Sequence, residues 1–131
     1  MITVVARWEE TQLPSEYEFK MWRQLKAFGI TRFIFTPILL DNGIEEYATM
    51  SECLDALSPE VSRCFLEPTG IKGMKEFSEV RGPIALILGS TTNSNMSLAR
   101  LEETYRINEP TKSEMYPVSA AAIALAIRYG Q

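Results

Sequence analysis

Short apolar runs recur along the chain and alternate with amphipathic or polar segments of helical length. The runs rich in Val, Ile, Leu and Phe are typical of buried strands and lie at 2–8, 31–36, 62–67, 83–89 and 104–108. The intervening segments predict helices at 13–29, 49–57, 71–77, 96–103 and about 119–129. Strands that alternate with helices predict an α/β fold, with a mostly parallel sheet of about five to six strands flanked by helices.

The first predicted helix has the clearest end signals. Pro14 and Ser15 suit its first turn, and Gly29 suits its C-terminal cap. Its apolar residues at spacings of four, four and three predict one buried stripe, formed by Tyr17, Met21, Leu25 and Phe28. In the helix predicted at 49–57, Thr49 or Ser51 is the expected cap.

Length and composition fit a single domain over residues 1–131, since 46% of the residues are apolar and 23% are charged. No apolar run approaches the roughly 20 residues that span a bilayer, and the N-terminus has no secretory pattern. We therefore expect no membrane association and a cytoplasmic location. Cys53 and Cys64 are too distant for a redox pair, and Cys64 is expected to be a buried thiol.

The sequence contains no histidine, which narrows the chemistry available to the chain. It cannot form a Ser-His-Asp or Cys-His arrangement, and with two distant thiols no metal site is expected. Catalysis would depend on carboxylates, Lys, Arg, Tyr, hydroxyls or a reactive cofactor. The net charge of −4 argues against non-specific nucleic-acid binding by the whole surface, so DNA is not expected as a partner.

A local basic patch is compatible with this net charge. The basic residues that would form it are Lys20, Arg23, Lys26, Arg32, Lys72, Lys75 and Arg81. They predict either an RNA-binding patch or an ordinary solvated face. The segment GIKGMK (70–75) would cradle a phosphate or form a turn with a solvated basic edge, and it is not a Walker A motif.

Three segments share an order and spacing with a known class of enzymes. They are YEFKMWRQLKAFGITRFIFTP, IALILGSTTNSN and YRINEPTKSEMYPVSAAAIALAI. Together they resemble the SPOUT class of RNA methyltransferases, especially the SpoU-like branch that methylates ribose 2′-hydroxyls. The likeness covers essentially the whole chain.

The resemblance implies an α/β fold with a C-terminal trefoil knot, a homodimer, an RNA substrate such as tRNA or rRNA, and S-adenosylmethionine bound by the knot loops. These loops would be Glu67–Gly70, Gly89–Ser94, Ile107–Pro110 and Met115–Ser119. The implied cofactor-binding residues are Glu67, Pro68, Gly89, Ser90, Ile107, Met115, Tyr116, Val118 and Ser119. Gly89 would let the ligand approach because it lacks a Cβ, while Pro117 and Ser119 would set the turn and cap of the last helix.

Arg23 matches the arginine that the class places near the target ribose. An arginine is always charged at neutral pH, so it would stabilise the developing 2′-alkoxide and position a phosphate rather than act as a base. The alternative is a solvated helix arginine paired with a nearby Glu.

The chain departs from the class at three positions. The class usually has an asparagine six residues before the arginine, where Tyr17 stands, and a glutamate after the strand glycine, where the chain has Ser90, Thr91 and Thr92. It usually has Ser-Leu-Asn before the final helix, where the chain has Met-Tyr-Pro (115–117). These departures motivate a second hypothesis, a catalytically silent SPOUT-like dimer that binds a ligand, RNA or protein. A third, an unknotted flavodoxin-like regulator, lacks the paired aspartates expected after the first strand.

The last predicted helix is apolar on almost every side. Ala120, Ile123, Ala124 and Ile127 form one face, and Ala121, Leu125 and Tyr129 lie on another. Such a helix is expected to be buried. It would either pack on the sheet alone or also approach a second subunit beside the cofactor pocket.

Overall fold

Five parallel strands form one sheet in the order β2-β1-β4-β3-β5. The computed structural model describes residues 1–9, 14–107 and 115–130. The strands are β1 (Ile2–Arg7), β2 (Ile30–Thr36), β3 (Ser62–Leu66), β4 (Ile84–Leu88) and β5 (Thr104–Tyr105). The predicted α/β fold with a parallel sheet is confirmed. The path of the chain through 108–114 lies outside the described residues, so the trefoil knot stays a prediction.

In the described parts of the chain, four α-helices and three short 3₁₀ helices lie between the strands or follow the last one. The α-helices are α1 (Ser15–Arg23), α2 (Met50–Asp55), α3 (Met74–Glu79) and α4 (Pro117–Tyr129), and the 3₁₀ helices span Gln24–Phe28, Met96–Leu98 and Leu101–Glu103. The predicted helix at 96–103 is wrong, because Ala99 and Arg100 have extended backbone and divide it into two single turns. Thr49 is the cap of α2, as predicted, and its side chain accepts the Glu52 N–H.

Strand side chains alternate between two apolar layers. Val4 and Leu86 point to a layer that contains residues of α1, α3 and α4, whereas Val5 and Ile87 point to a smaller layer under α2. This alternation follows from the period of two in a strand. All five residues of β4 are buried, which explains why its sequence is a continuous apolar run.

The buried stripe predicted for the first helix is confirmed in part. Leu25 is buried, Met21 and Phe28 are partly buried, and Tyr17 is 63% exposed. Glu18 and Trp22, which the predicted stripe did not include, are buried. The Trp22 ring packs edge-on against Phe35 at a centroid distance of 5.9 Å, and the Glu18 carboxylate is satisfied by hydrogen bonds inside the protein. A buried, hydrogen-bonded glutamate therefore takes a core position that apolar spacing assigned to tyrosine. Gly29 closes the following 3₁₀ helix in the left-handed conformation, as its predicted capping role requires.

The last helix is partly buried. Ala121, Ala124 and Leu125 are buried, while Ile123 is 38% and Tyr129 77% exposed. Arg128 donates to the carbonyl oxygens of Phe77 and Val80 and so ties α4 to α3. The expectation of burial is thus confirmed for one side only. Within the described residues, no helix is long and apolar enough to cross a membrane.

Candidate functional site

The carboxyl ends of the parallel strands lie at one edge of the sheet, where ligands of open α/β sheets bind. The segments after β1, β3 and β4 all begin there: Trp8–Glu9, Glu67–Gly70 and Gly89–Ser94. Side-chain hydrogen bonds join these three segments to one another. The edge is therefore one connected structure.

Glu67 joins the segment after β3 to the segment after β4. Its side chain is buried, and Oε1 accepts the Asn95 N–H at 2.7 Å and the Ser94 hydroxyl at 3.0 Å. The neighbouring Pro68 is exposed. The structure thus places the predicted cofactor-binding Glu67 at the sheet edge, with one oxygen already engaged by the protein.

The two glycines of these segments are packed against main-chain atoms. A Cβ at Gly89 would lie 2.1 Å from the Asn93 carbonyl oxygen, and one at Gly70 would lie 2.4 Å from the Tyr105 carbonyl carbon. Around Gly89 the loop closes on itself, since the Ser90 N–H donates to the same Asn93 oxygen at 2.9 Å. Gly89 is therefore required by the loop itself.

Glu9 joins the end of β1 to the loop after β4, and sequence reasoning missed it. Its carboxylate accepts the Thr91 N–H at 2.5 Å and the Thr91 hydroxyl at 2.7 Å. Its own N–H donates to the Glu18 carboxylate at 2.9 Å, and the Trp22 indole donates to that carboxylate at 3.3 Å. The available signal was a carboxylate directly after a buried strand, at the end where parallel strands carry their sites.

Two further polar side chains near this edge, those of Glu18 and Asn95, are buried. Burial raises the pKa of Glu18, partly opposed by its hydrogen bonds from Glu9 and Trp22 and reinforced by the Glu9 charge. Asn95 is fully buried, and its Oδ1 accepts from Arg7 Nε at 2.8 Å. Because arginine can only donate, the amide orientation is fixed, and Asn95 Nδ2 is a buried donor without a partner in the described part of the chain.

The remaining predicted cofactor-binding residues follow β5 or lie around the start of α4. Ile107 and Val118 are partly buried against the core, Met115 is half-buried and Tyr116 is 44% exposed. Pro117 occupies the first helical turn, as predicted. The predicted cap Ser119 is wrong, because α4 starts two residues earlier and Ser119 lies exposed inside its first turn. The stretch 108–110 of the third predicted loop lies outside the described residues.

Arg23 is exposed on the last turn of α1. Its guanidinium lies 5.8 Å from the Phe19 ring centroid, and it lines a shallow depression with Lys20, Gln24 and Lys26. Across residues 1–9, 14–107 and 115–130 it has no carboxylate partner and no hydrogen bond to the loops at the sheet edge. The alternative of a paired helix arginine therefore finds no support in this structure.

Other basic residues are engaged by the protein. Arg32 forms an ion pair and a second hydrogen bond with Glu45, which lowers the pKa of that carboxyl group. In the GIKGMK segment, Gly73 is the N-cap residue of α3, and its N–H donates to Glu76 Oε2 at 3.0 Å. That geometry favours the turn interpretation of the segment over a phosphate cradle.

The two thiols are buried and not paired. Burial raises the pKa of Cys53 and of Cys64 to about 12, so both are neutral at physiological pH and poor nucleophiles. The predicted buried thiol at Cys64 is confirmed. Among the residues that the structure describes, no cluster of His, Cys, Asp and Glu is arranged to hold a metal ion.

Comparisons with known proteins find similarity in fold but not in sequence. No family model matches the chain, and no curated protein matches it. Solved structures do match. A proposed RNA methyltransferase from Bacillus anthracis is 16% identical with a TM-score of 0.73, and the match covers 99% of this chain and 93% of the other.

Two other solved structures extend this finding. The SpoU methyltransferase AviRb from Streptomyces viridochromogenes, also solved with AdoMet, is 15% identical with a TM-score of 0.75, and the match covers 100% of this chain and 59% of AviRb. A structure concerned with 2-OH methylation of C/U34 on tRNA is 16% identical with a TM-score of 0.74, covering 100% and 90%. The chain therefore has the fold of the SpoU-type, SPOUT-class methyltransferases.

Proposed function

We propose that the chain is an S-adenosylmethionine-dependent RNA methyltransferase that acts on a ribose 2′-hydroxyl. The observation that carries the proposal is the set of linked loops at the carboxyl edge of a SpoU-type fold. These loops are shaped by glycines and hydrogen bonds, and the segments 8–9, 67–70 and 89–94 contain no Cys, Lys or His. This suits a reaction in which a cofactor brings the reactive group and the protein aligns it.

The residues present fit S-adenosylmethionine. Main-chain groups of Glu67–Gly70, Gly89–Ser94, Ile107 and Met115–Ser119 would hold it, and the cofactor would supply a methyl group on a sulfonium. Asn95 Nδ2 is a buried donor in need of an acceptor. The first turn of α4 has no side-chain cap, so its N–H groups are also available.

The outer side of α1 is the proposed RNA-binding face. Lys20, Arg23 and Lys26 are exposed there and have no carboxylate partner among the described residues. Tyr17 is exposed beside them, with Lys20 Nζ 5.5 Å from its ring centroid. Cations would neutralise phosphates, and an exposed aromatic ring can stack on an unpaired base.

A dimer would bring this face to the cofactor. Within one chain, Arg23 has no hydrogen bond to the described loops at the sheet edge, and we propose that a second subunit presents it to the cofactor. On α4 the exposed residues at spacings of four and three form a stripe of small or aliphatic residues: Ser119, Ile123 and Ala126. We propose this stripe as the self-association surface, since small residues let two helices approach closely.

The second candidate function is ligand or RNA binding without methyl transfer. It is favoured by the hydrogen bonds of Thr91, where the class usually has a glutamate, because both of its polar groups are engaged by Glu9. Calorimetry with S-adenosylmethionine and a methyl-transfer assay on total RNA separate the two. Binding with transfer supports the enzyme, binding without transfer supports the silent protein, and no binding contradicts the proposed cofactor.

A further inference from the structure

The carboxylate of Glu9 links the end of β1 to the loop after β4 through two hydrogen bonds. Glu9 is only 6% exposed, and both of its side-chain oxygens are bonded to Thr91. We propose that Glu9 is a positioning residue whose carboxylate fixes the Gly89–Ser94 loop in the shape that binds the cofactor. The inference rests on the proposed function, because that function gives the loop its ligand.

The geometry leaves the loop little freedom. On one side, Glu9 holds the N–H and the hydroxyl of Thr91. On the other, Glu67 holds the Asn95 N–H and the Ser94 hydroxyl. Two buried carboxylates therefore grip the loop at positions 91 and 94–95, with the close turn at Gly89 between β4 and the first grip.

The position of Glu9 is itself fixed from behind. Its N–H donates to both oxygens of Glu18, at 2.9 and 3.2 Å, and Glu18 also accepts the indole N–H of Trp22. These contacts connect α1, which carries Arg23, to the loop after β4. A shift of the loop would thus be resisted by α1 as well as by β1.

A hydrogen bond to an ionised carboxylate is stronger than one between neutral groups. Loss of the Glu9 carboxylate would deprive the Thr91 N–H and hydroxyl, which lie in a partly buried site, of these acceptors. A substitution of Glu9 should therefore perturb the conformation of the Gly89–Ser94 loop more than that of the sheet. Substrate or cofactor affinity is the readout that such a change would move.

The test compares Thr91→Val with Thr31→Val in the whole chain. Both remove one hydroxyl, but Thr31 lies at the start of β2, outside the proposed cofactor loops, where its hydroxyl donates to the Ile2 carbonyl oxygen. We expect Thr91→Val to weaken S-adenosylmethionine binding about tenfold in calorimetry, equivalent to about 1.4 kcal/mol. Thr31→Val should stay within about twofold, and Thr91→Ser, which keeps the hydroxyl, should recover most of the affinity lost in Thr91→Val. Equal effects of the two valine variants would overturn the proposal.

A charge exchange tests whether the carboxylate acts through Thr91. Thr91→Glu alone brings two carboxylates together and should weaken binding further than Thr91→Val. Combining it with Glu9→Gln restores one carboxylate and one amide and should recover affinity. Failure of the double variant to recover any affinity while its thermal unfolding matches that of Glu9→Gln would count against the pairing.

Hydrogen exchange provides an arm that needs no ligand. Glu9→Gln should speed exchange of the Thr91 amide about tenfold or more, while the Asn95 amide, held by Glu67, serves as the internal reference. An unchanged Thr91 amide would overturn the proposal. If the wild-type protein binds no S-adenosylmethionine but its Thr91 amide responds, the role of Glu9 in holding the loop is supported and the proposed cofactor is contradicted.

Discussion

Glu18 shows how a single buried residue contributes to the pH dependence of stability. Burial raises the pKa of its carboxyl group above the ordinary value of 4.5, and the nearby Glu9 charge adds to this. A raised carboxyl pKa stabilises the folded state below the unfolded pKa, and this contribution is lost as pH rises through the folded value. Ionised Glu18 is thus a cost at neutral pH, partly offset by its hydrogen bonds.

We expect Glu18→Gln to gain stability relative to wild type as pH is raised above 4.5. The reason is that glutamine is never charged, so it carries no cost of burying an ion, although it can keep one acceptor for the Glu9 N–H. Urea unfolding across acid to neutral pH measures the difference. Glu16→Gln, at an exposed position of the same helix, is the control, and an identical pH trend in both variants would contradict the argument.

Arg23 is the residue whose proposed role is chemical. Arg23→Ala should leave S-adenosylmethionine affinity and self-association unchanged and lower methyl transfer by about a hundredfold or more, since it removes a cation from the developing alkoxide. Lys26→Ala, which removes a cation from the same depression, should weaken RNA binding only modestly. Retained turnover in the Arg23 variant would reject the role.

At the scale of elements, close packing between main-chain segments makes Gly70 sensitive. Gly70→Ala forces a Cβ to within 2.4 Å of the Tyr105 backbone, where β5 pairs with β3. Overpacking of this kind costs about 1–3 kcal/mol, and we expect a loss of that order in chemical unfolding. Gly130→Ala is the matched control, because its nearest contact would be 3.5 Å. Equal stability of the two variants would contradict the packing argument.

The sequence predicts the positions of these elements better than it predicts which of their faces are buried. Four strands are found within one residue of their predicted ends, because apolar runs and breaking residues mark them clearly. The fifth, β5, ends at Tyr105, three residues before its predicted end. On the first helix, Leu25 is buried as predicted, but the burial predicted for Tyr17 is wrong, since apolar spacing cannot show that the buried Glu18 is hydrogen-bonded inside the protein. The Glu9–Thr91 link could not be predicted either, because its partners are 82 residues apart and meet only through the strand order.

For the whole molecule, the proposed dimer is the feature on which the chemistry depends. We expect size-exclusion chromatography with light scattering to give the mass of two 14.8 kDa chains. Ile123→Glu, in the exposed stripe of α4, should shift the protein to a monomer by burying a charge in the interface. Leu101→Glu alters another exposed aliphatic residue, outside α4, and should leave the mass unchanged. A monomeric wild-type protein would contradict the proposed self-association surface on α4.

The folding of two glycines onto neighbouring carbonyl groups also bears on how such proteins diverge. A sheet edge whose shape is set by main-chain atoms can keep that shape while most of the surrounding side chains are replaced. Sequence similarity between relatives would then be lost long before similarity of fold. Searches for further relatives of this chain should accordingly look for the steric constraint at positions 70 and 89 together with a carboxylate–hydroxyl pair bridging the first and fourth strands.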